Sequence, residues 1–212
     1  MPATPPLKPR KQPRQARSRA TVEAILDATA RILVTHGYAT ASTNRIAEAA
    51  GISIGSLYQY FPSKEALVTA LHRRHTEQMQ AALLEVAASA TEAPLPVAAR
   101  TLIHAVMAAH MIDPQLHRVF DEEVPRPDLA DCRDELEASM RTMVKGLLLA
   151  HRASLLPLDV DLASLMLVQL VDALIHTAVI ARPDDARADA IEQEIVAIVL
   201  RYLTGQTSPG SP

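Results

Sequence analysis

Apolar residues in this chain recur at intervals of three and four, and each long run of them is closed by proline or glycine. That pattern suits helices packed on one another; the period-two alternation of a half-buried strand is rare. Val22, Ile25, Leu26, Ile32 and Leu33 share one helical face from about Ser18, and Gly37 follows as a helix stop. Two short helices fit residues 43–50 and 54–60, separated by Gly51-Ile52-Ser53. Pro62 ends the second, and Ser63 caps a helix running to about 88, with Glu65 in its first turn. Pro94 and Pro96 mark a break, after which helices are expected over 97–112, 115–123 and 128–152. The third carries Leu129, Cys132, Leu136, Met140, Met143 and Leu147 along one stripe. An apolar helix over 160–181 and a last one over 185–203 complete the body; Ile191, Ile195, Ile198, Val199 and Tyr202 share the last helix's apolar face. The expected fold class is all-α.

Charge divides the chain. Residues 1–75 carry 11 Lys/Arg against 4 Asp/Glu, a net of +7, whereas 76–212 carry 10 against 20, a net of −10. A basic front joined to an acidic body suits a polyanion binder with a separate second part. Cys132 is the only cysteine, which excludes an intrachain disulfide and a cysteine-based metal cage. It fits a reducing compartment, and the expected location is the cytoplasm. Residues 1–17, with five prolines and five basic residues, read as a disordered arm, and 205–212 as a loose tail. No apolar stretch follows the basic arm as a secretory signal would require.

The segment from Thr43 to Phe61 has the anatomy of a helix-turn-helix. Two helices that cross closely need a small inward residue, Ala47, and a turn residue free to take positive φ, Gly51. Ile46, Ile52 and Leu57 supply the apolar wedge. Three of the six aromatic residues fall within Tyr58-Gln59-Tyr60-Phe61. Leu57 and Phe61, four apart, point to the core together, which turns Tyr58 and Tyr60 elsewhere, where a phenol can reach a phosphate.

Residues 18–68 resemble the TetR family of bacterial regulators. The likeness rests on Thr43, Ile46-Ala47, Ala50-Gly51-Ile52-Ser53, Gly55-Ser56-Leu57-Tyr58, Tyr60-Phe61 and Ser63-Lys64-Glu65-Ala66-Leu67. It implies a three-helix DNA-binding head, a six-helix effector-binding and dimerisation body, a homodimer, and repression relieved by a small molecule. On that basis the arm is 1–17, the head 18–62, the body 63–204 with a connecting helix over 63–88, and the tail 205–212. Carried over by position, Thr43 touches phosphate and Asn44 reaches towards base edges. Ile54, Gly55, Ser56 and Gln59 face the major groove, while Tyr58, Tyr60 and Lys64 contact phosphates. Gly55 permits close backbone approach, Ile54 suits a thymine methyl and Gln59 suits adenine. The recognition helix has no Arg or Lys, so the commonest guanine contact is missing from it. Arg45 is expected on the solvent or phosphate side. The basic stretch 8–19 either tracks phosphates or a minor groove, or is a solubilising tail.

In the body an effector pocket is expected among Leu102, Val106, Met107 and His110 on one helix and Met140 and Met143 on another. Ordinary core packing is the competing reading. The partners expected are double-stranded DNA with a pseudo-palindromic operator, a small molecule of unspecified identity, and a second copy bound through 160–181 and 185–203. Asp161, Gln169, Asp172 and His176 interrupt 160–181, so it is not read as a membrane span. Asp172 and His176 are expected to pair with each other, across the two-fold, or with solvent. His72/His75 and Asp113/His117 lack a convincing third ligand, so neither a metal nor another cofactor is expected. No phosphate loop, zinc-protease helix or nucleophile elbow is present, and Asp121-Glu122-Glu123 reads as a solvated helix end, so no enzyme is expected. The alternative is a helical interaction module whose basic head meets an acidic protein or a membrane surface.

Overall fold

The computed structural model describes residues 16–176 and 188–205. Among them are nine α-helices: α1 Ala16–Thr40, α2 Thr43–Ala49, α3 Ile54–Tyr60, α4 Lys64–Ala90, α5 Leu95–His110, α6 Pro114–Glu122, α7 Arg126–Ala150, α8 Val160–Ile175 and α9 Ala188–Thr204. A 3-10 turn, Arg152–Ser154, follows α7. The fold is all-α, with three helices before Pro62 and six after it. The arm up to residue 15, the end of the helix read over 160–181, the start of that read over 185–203 and the tail after 205 lie outside the described residues. No single described helix is long and apolar enough to cross a membrane.

The prolines do something different from what their spacing suggested. Pro96, Pro114 and Pro127 stand in the first turns of α5, α6 and α7 rather than in breaks between them. A helix's first N–H groups have no intrahelical acceptor, so a residue without an N–H costs nothing there.

The chain forms two compact units. The first contains 16–77 together with 115–133. Its core joins Ile25, Leu33, Ile46, Leu57, Phe61, Leu67 and Leu71 to Leu116, Phe120 and Leu129. The core thus takes in α6 and the start of α7, more chain than the helix-turn-helix alone. Polar ties accompany the packing. Arg74 on α4 reaches Glu23 and Asp27 on α1 at 2.9 and 2.8 Å. Gly37 interrupts α1 with φ 75 and ψ 165. The Glu123 carboxylate accepts the N–H of the next residue, Tyr38, at 2.7 Å. Asp121 binds Arg133 at 2.9 Å. Glu122 and Glu123 are exposed, as a solvated helix end requires, with Glu122 pairing on the surface with Arg118, while Asp121 is partly buried. The sequence pattern missed the partners of Asp121 and Glu123 because they are 12 and 85 residues away.

The second unit contains 78–114, 134–176 and 188–205. α5 and α8 pack on α9 around Ile103, Met107, Leu148, Leu167, Ile175, Ile195, Val196, Val199 and Leu203. On α9 the buried face is therefore Ile195, Val196, Val199 and Leu203. Tyr202, expected on it, is exposed, and Ile198 is only partly buried. The N–H of Leu156 donates to the carbonyl of Leu203 at 2.9 Å, tying the stretch after α7 to the end of α9.

Within the first unit His72 is buried, edge-on to Phe120 with ring centroids 4.9 Å apart. Its Nδ1 has no hydrogen-bond partner among the described residues. Burial first, then the positive Arg133 and His75, push its pKa down from 6.5 to about 4, against an opposing pull from Asp121. The neutral ring therefore stabilises the fold above pH 6.5, and that contribution is lost as pH falls from 6.5 towards 4. The full effect is on the order of 3 kcal/mol. Thermal unfolding across this window should show His72→Phe losing less stability than the wild type; parallel curves for the two proteins would refute the assignment.

Candidate nucleic-acid interface

Ser42 caps the start of α2, its hydroxyl accepting the Arg45 N–H at 3.4 Å. It ends in a Schellman arrangement: Gly51 N–H donates to Glu48 O and Ile52 N–H to Ala47 O, both at 3.0 Å. Gly51 takes φ +68, which makes that ending accessible. Arg31 on α1 donates to the carbonyl of Ala49 at 3.3 Å, a further cap that sequence reading did not identify. Ser53 caps the start of α3, its hydroxyl accepting from the Ser56 N–H at 3.1 Å. Ile46, Ala47, Leu57 and Phe61 are buried, with Leu57 at 0% exposure, so α3 is anchored by one face and presents the other.

The sequence-derived contact residues separate into two groups. Asn44, Ile54, Gly55, Tyr58 and Gln59 are exposed together with Arg45. Thr43, Ser56, Tyr60 and Lys64 are partly buried and already engaged. Thr43 Oγ1 and Tyr58 Oη lie 3.1 Å apart, which joins the first turn of α2 to α3. The Ser56 hydroxyl lies 2.8 Å from that of Ser53 and so belongs to the helix cap. Tyr60 Oη accepts from Ser18 Oγ at 3.2 Å, and its ring packs against the core.

Lys64 departs furthest from an outward-pointing cation. Its ammonium donates to the carbonyl of Tyr38 at 3.0 Å and lies 4.0 Å from the centre of the Tyr38 ring. Tyr38 Oη in turn donates to Asp128 Oδ2 at 3.2 Å, and Thr69 donates to the carbonyl of Asp128 at 3.0 Å. Burial first, then the Asp128 carboxylate, push the Tyr38 pKa up to about 12, so the phenol stays a donor. Tyr38 was absent from the sequence-derived site because no local pattern connects it to positions 64 and 128.

The body residues fall differently. All six expected pocket residues belong to the second unit. Leu102 packs with Ala90, Ala98 and Leu147, whereas Met107 belongs to the α5–α8–α9 core. Met140 packs beside Met79, Leu83 and Ala109, and Val106 borders both of the latter groups. Met143 is half-buried. His110 is buried, and His104 is exposed and 2.9 Å from Glu192 on α9.

Comparison with known proteins identifies the family. Residues 25–71 match the family described as "Bacterial regulatory proteins, tetR family", and residues 94–203 match "Tetracyclin repressor-like, C-terminal domain". The chain belongs to the TetR family. An HTH-type transcriptional regulator of Mycobacterium tuberculosis is 41% identical over 63 residues, 30% of this chain and 31% of that one. An HTH-type transcriptional repressor of the same organism is 40% identical over 57 residues, 27% of this chain and 30% of that one. These matches span about a third of the curated relatives' length. A solved TetR transcription regulator from Haloarcula marismortui has TM-score 0.73 and 20% identity, covering 88% of this chain and 100% of that one. The Bacillus subtilis regulator FadR, solved in complex with stearoyl-CoA, has TM-score 0.69 and 20% identity, covering 85% and 98%. At such identities the likeness of these two is one of fold.

The two positive-φ glycines of this TetR head should respond unequally to substitution. A Cβ at Gly51 meets nothing within 4 Å, so Gly51→Ala carries only the left-handed backbone cost, about 1 kcal/mol. Gly37 lies in a region that side chains scarcely enter, and its Cβ would fall 2.7 Å from the Glu123 carboxylate that holds Tyr38. Gly37→Ala should cost about 2–3 kcal/mol in urea unfolding. Equal losses at the two positions would contradict this account.

Proposed function

We propose that this TetR-family chain is a sequence-specific DNA-binding transcriptional regulator, a repressor whose hold on its operator is controlled by a small molecule in the body. The observation that carries the reading is the division of α3 into a buried anchor, Leu57, and an exposed face of Ile54, Gly55, Tyr58 and Gln59. A helix held from behind with one face open is the geometry that enters a major groove. In this reading 18–62 is the DNA-binding head and 63–204 the effector-binding and dimerisation body. Thr43, Tyr58, Tyr60 and Lys64 position the head on phosphates, while Asn44, Ile54, Gly55, Ser56 and Gln59 face the bases. Engagement of Lys64 with phosphate would require it to leave the Tyr38 carbonyl. The dipole of the long helix α4 adds a favourable field at its N-terminus.

The effector is proposed to lie among Leu102, Val106, Met107, His110, Met140 and Met143. The stearoyl-CoA complex of the Bacillus subtilis neighbour makes a long-chain acyl thioester a sensible first compound to test. The homodimer is proposed through 160–181 and 185–203. Leu162 and Met166, one helical turn apart on α8, are 55% and 54% exposed, and Tyr202 on α9 is exposed as well. Apolar residues left open at helical spacing suit a face covered by a second copy.

Selection from a random duplex pool should return a pseudo-palindrome, bound with affinity that falls steeply as salt rises. Tyr58→Phe should weaken all duplexes alike, by about 1 kcal/mol, whereas Gln59→Ala should change which sequence is preferred. An unselective protein, or a Gln59→Ala variant with unaltered preference, would defeat the reading. The seam has its own test. Met166→Glu should shift the mass in light scattering from two chains to one and abolish tight operator binding; an unchanged dimer would place the interface elsewhere.

A further inference from the structure

His110 ends α5, and Asp172 and His176 stand four residues apart at the end of α8, all three within the second unit. One carboxylate oxygen, Asp172 Oδ1, lies 3.7 Å from His110 Nε2 and 3.8 Å from His176 Nε2. The two histidines offer ring nitrogens within 4.8 Å of each other. Their rings are nearly perpendicular, at 89° with centroids 5.3 Å apart. From this convergence we infer that His110, Asp172 and His176 form a binding site for a divalent transition-metal ion.

Three features carry it. First, the tautomer of His110 is fixed. Its Nδ1 lies 2.7 Å from the carbonyl of Val106, and a carbonyl only accepts, so Nδ1 holds the proton. In a neutral imidazole a proton on Nδ1 puts the lone pair on Nε2, the nitrogen that faces Asp172. A backbone carbonyl on the far nitrogen is the usual outer support of a metal-bound imidazole. Second, the spacing suits a metal. Donors at about 2.0–2.1 Å from a tetrahedral ion lie roughly 3.4 Å apart, so the 3.7 and 3.8 Å separations from Asp172 need contraction of a few tenths of an ångström, and the two histidine nitrogens, within 4.8 Å of each other, must also close on the ion. Third, the donor set is selective. Two imidazoles and one carboxylate favour zinc, cobalt, nickel, copper or ferrous iron over magnesium or calcium, and three protein ligands leave coordination positions open. The ion would bridge α5 and α8 inside one unit. The site needs no DNA, so it can be tested apart from the proposed function.

The test uses the full chain, freed of any polyhistidine tag and stripped with a chelator, then dialysed against micromolar zinc or cobalt(II). One ion per chain is expected, with cobalt(II) giving the visible absorption of a low-coordinate site. Asp172→Asn and His176→Gln should each weaken binding by more than the roughly 10–100-fold that loss of an outer partner costs. His104→Gln, at an exposed histidine paired with Glu192, should bind as the wild type does. Asp172 is 61% exposed, so its conservative variant is expected to fold, and circular dichroism checks both ligand variants. Should one fail to fold, the other decides. Absence of stoichiometric binding by the wild type would show an ion pair only, and full binding by a folded Asp172→Asn or His176→Gln protein would place the ion elsewhere. Either result overturns the site.

Discussion

Seven residues are too few for a helix to persist alone in water, and α2 and α3 have seven each. Their existence depends on tertiary burial: Ile46 and Ala47 from one, Leu57 from the other, and Phe61 just beyond it. The close approach needs a small side chain at 47 and a left-handed turn at 51, and both are present. Removing Leu57 would loosen the face that α3 presents, since it is the fully buried side chain within that helix. Exposed residues in this region therefore owe their position to residues that never see solvent.

The second level of organisation is polar and long-range. Glu123 closes the break at Gly37, Asp128 takes the phenol of Tyr38, and Tyr38's carbonyl takes the Lys64 ammonium. Three stretches far apart in the chain thereby meet around one tyrosine. The stretch 115–133 also supplies Leu116, Phe120 and Leu129 to the apolar core of the first unit. A rearrangement of that segment would act directly on Tyr38 and through it on Lys64.

How much of this was legible follows from the range of each interaction. Helix periods, the Gly37 and Gly51 stops and the inward direction of Leu57 and Phe61 are local, and a single sequence displays them. The exposed face of α3 followed from the same periodicity. Starts at proline were placed one or two residues late because a proline reads identically whether it ends one helix or opens the next. On α9 a helical wheel selected Ile198 and Tyr202 as well as Ile195 and Val199, since it cannot tell which of two apolar faces meets the neighbour. The roles of Asp121, Glu123 and Tyr38, and the pairing of His75 with His117 at 3.1 Å, depend on segments brought together only by folding. In the body, residues grouped as one pocket lining belong to separate packing clusters, because sharing a helix face does not ensure sharing a neighbour.

Ile54 offers a last consequence. It is an apolar side chain at the start of α3, open to water in the free protein. Were it to meet a methyl group in a groove, that water would be released, and association would carry a negative heat-capacity change alongside its ionic component. Such a contribution is indifferent to counterions. Part of the discrimination between duplexes would then survive at ionic strengths that have already erased most of the charge-driven attraction.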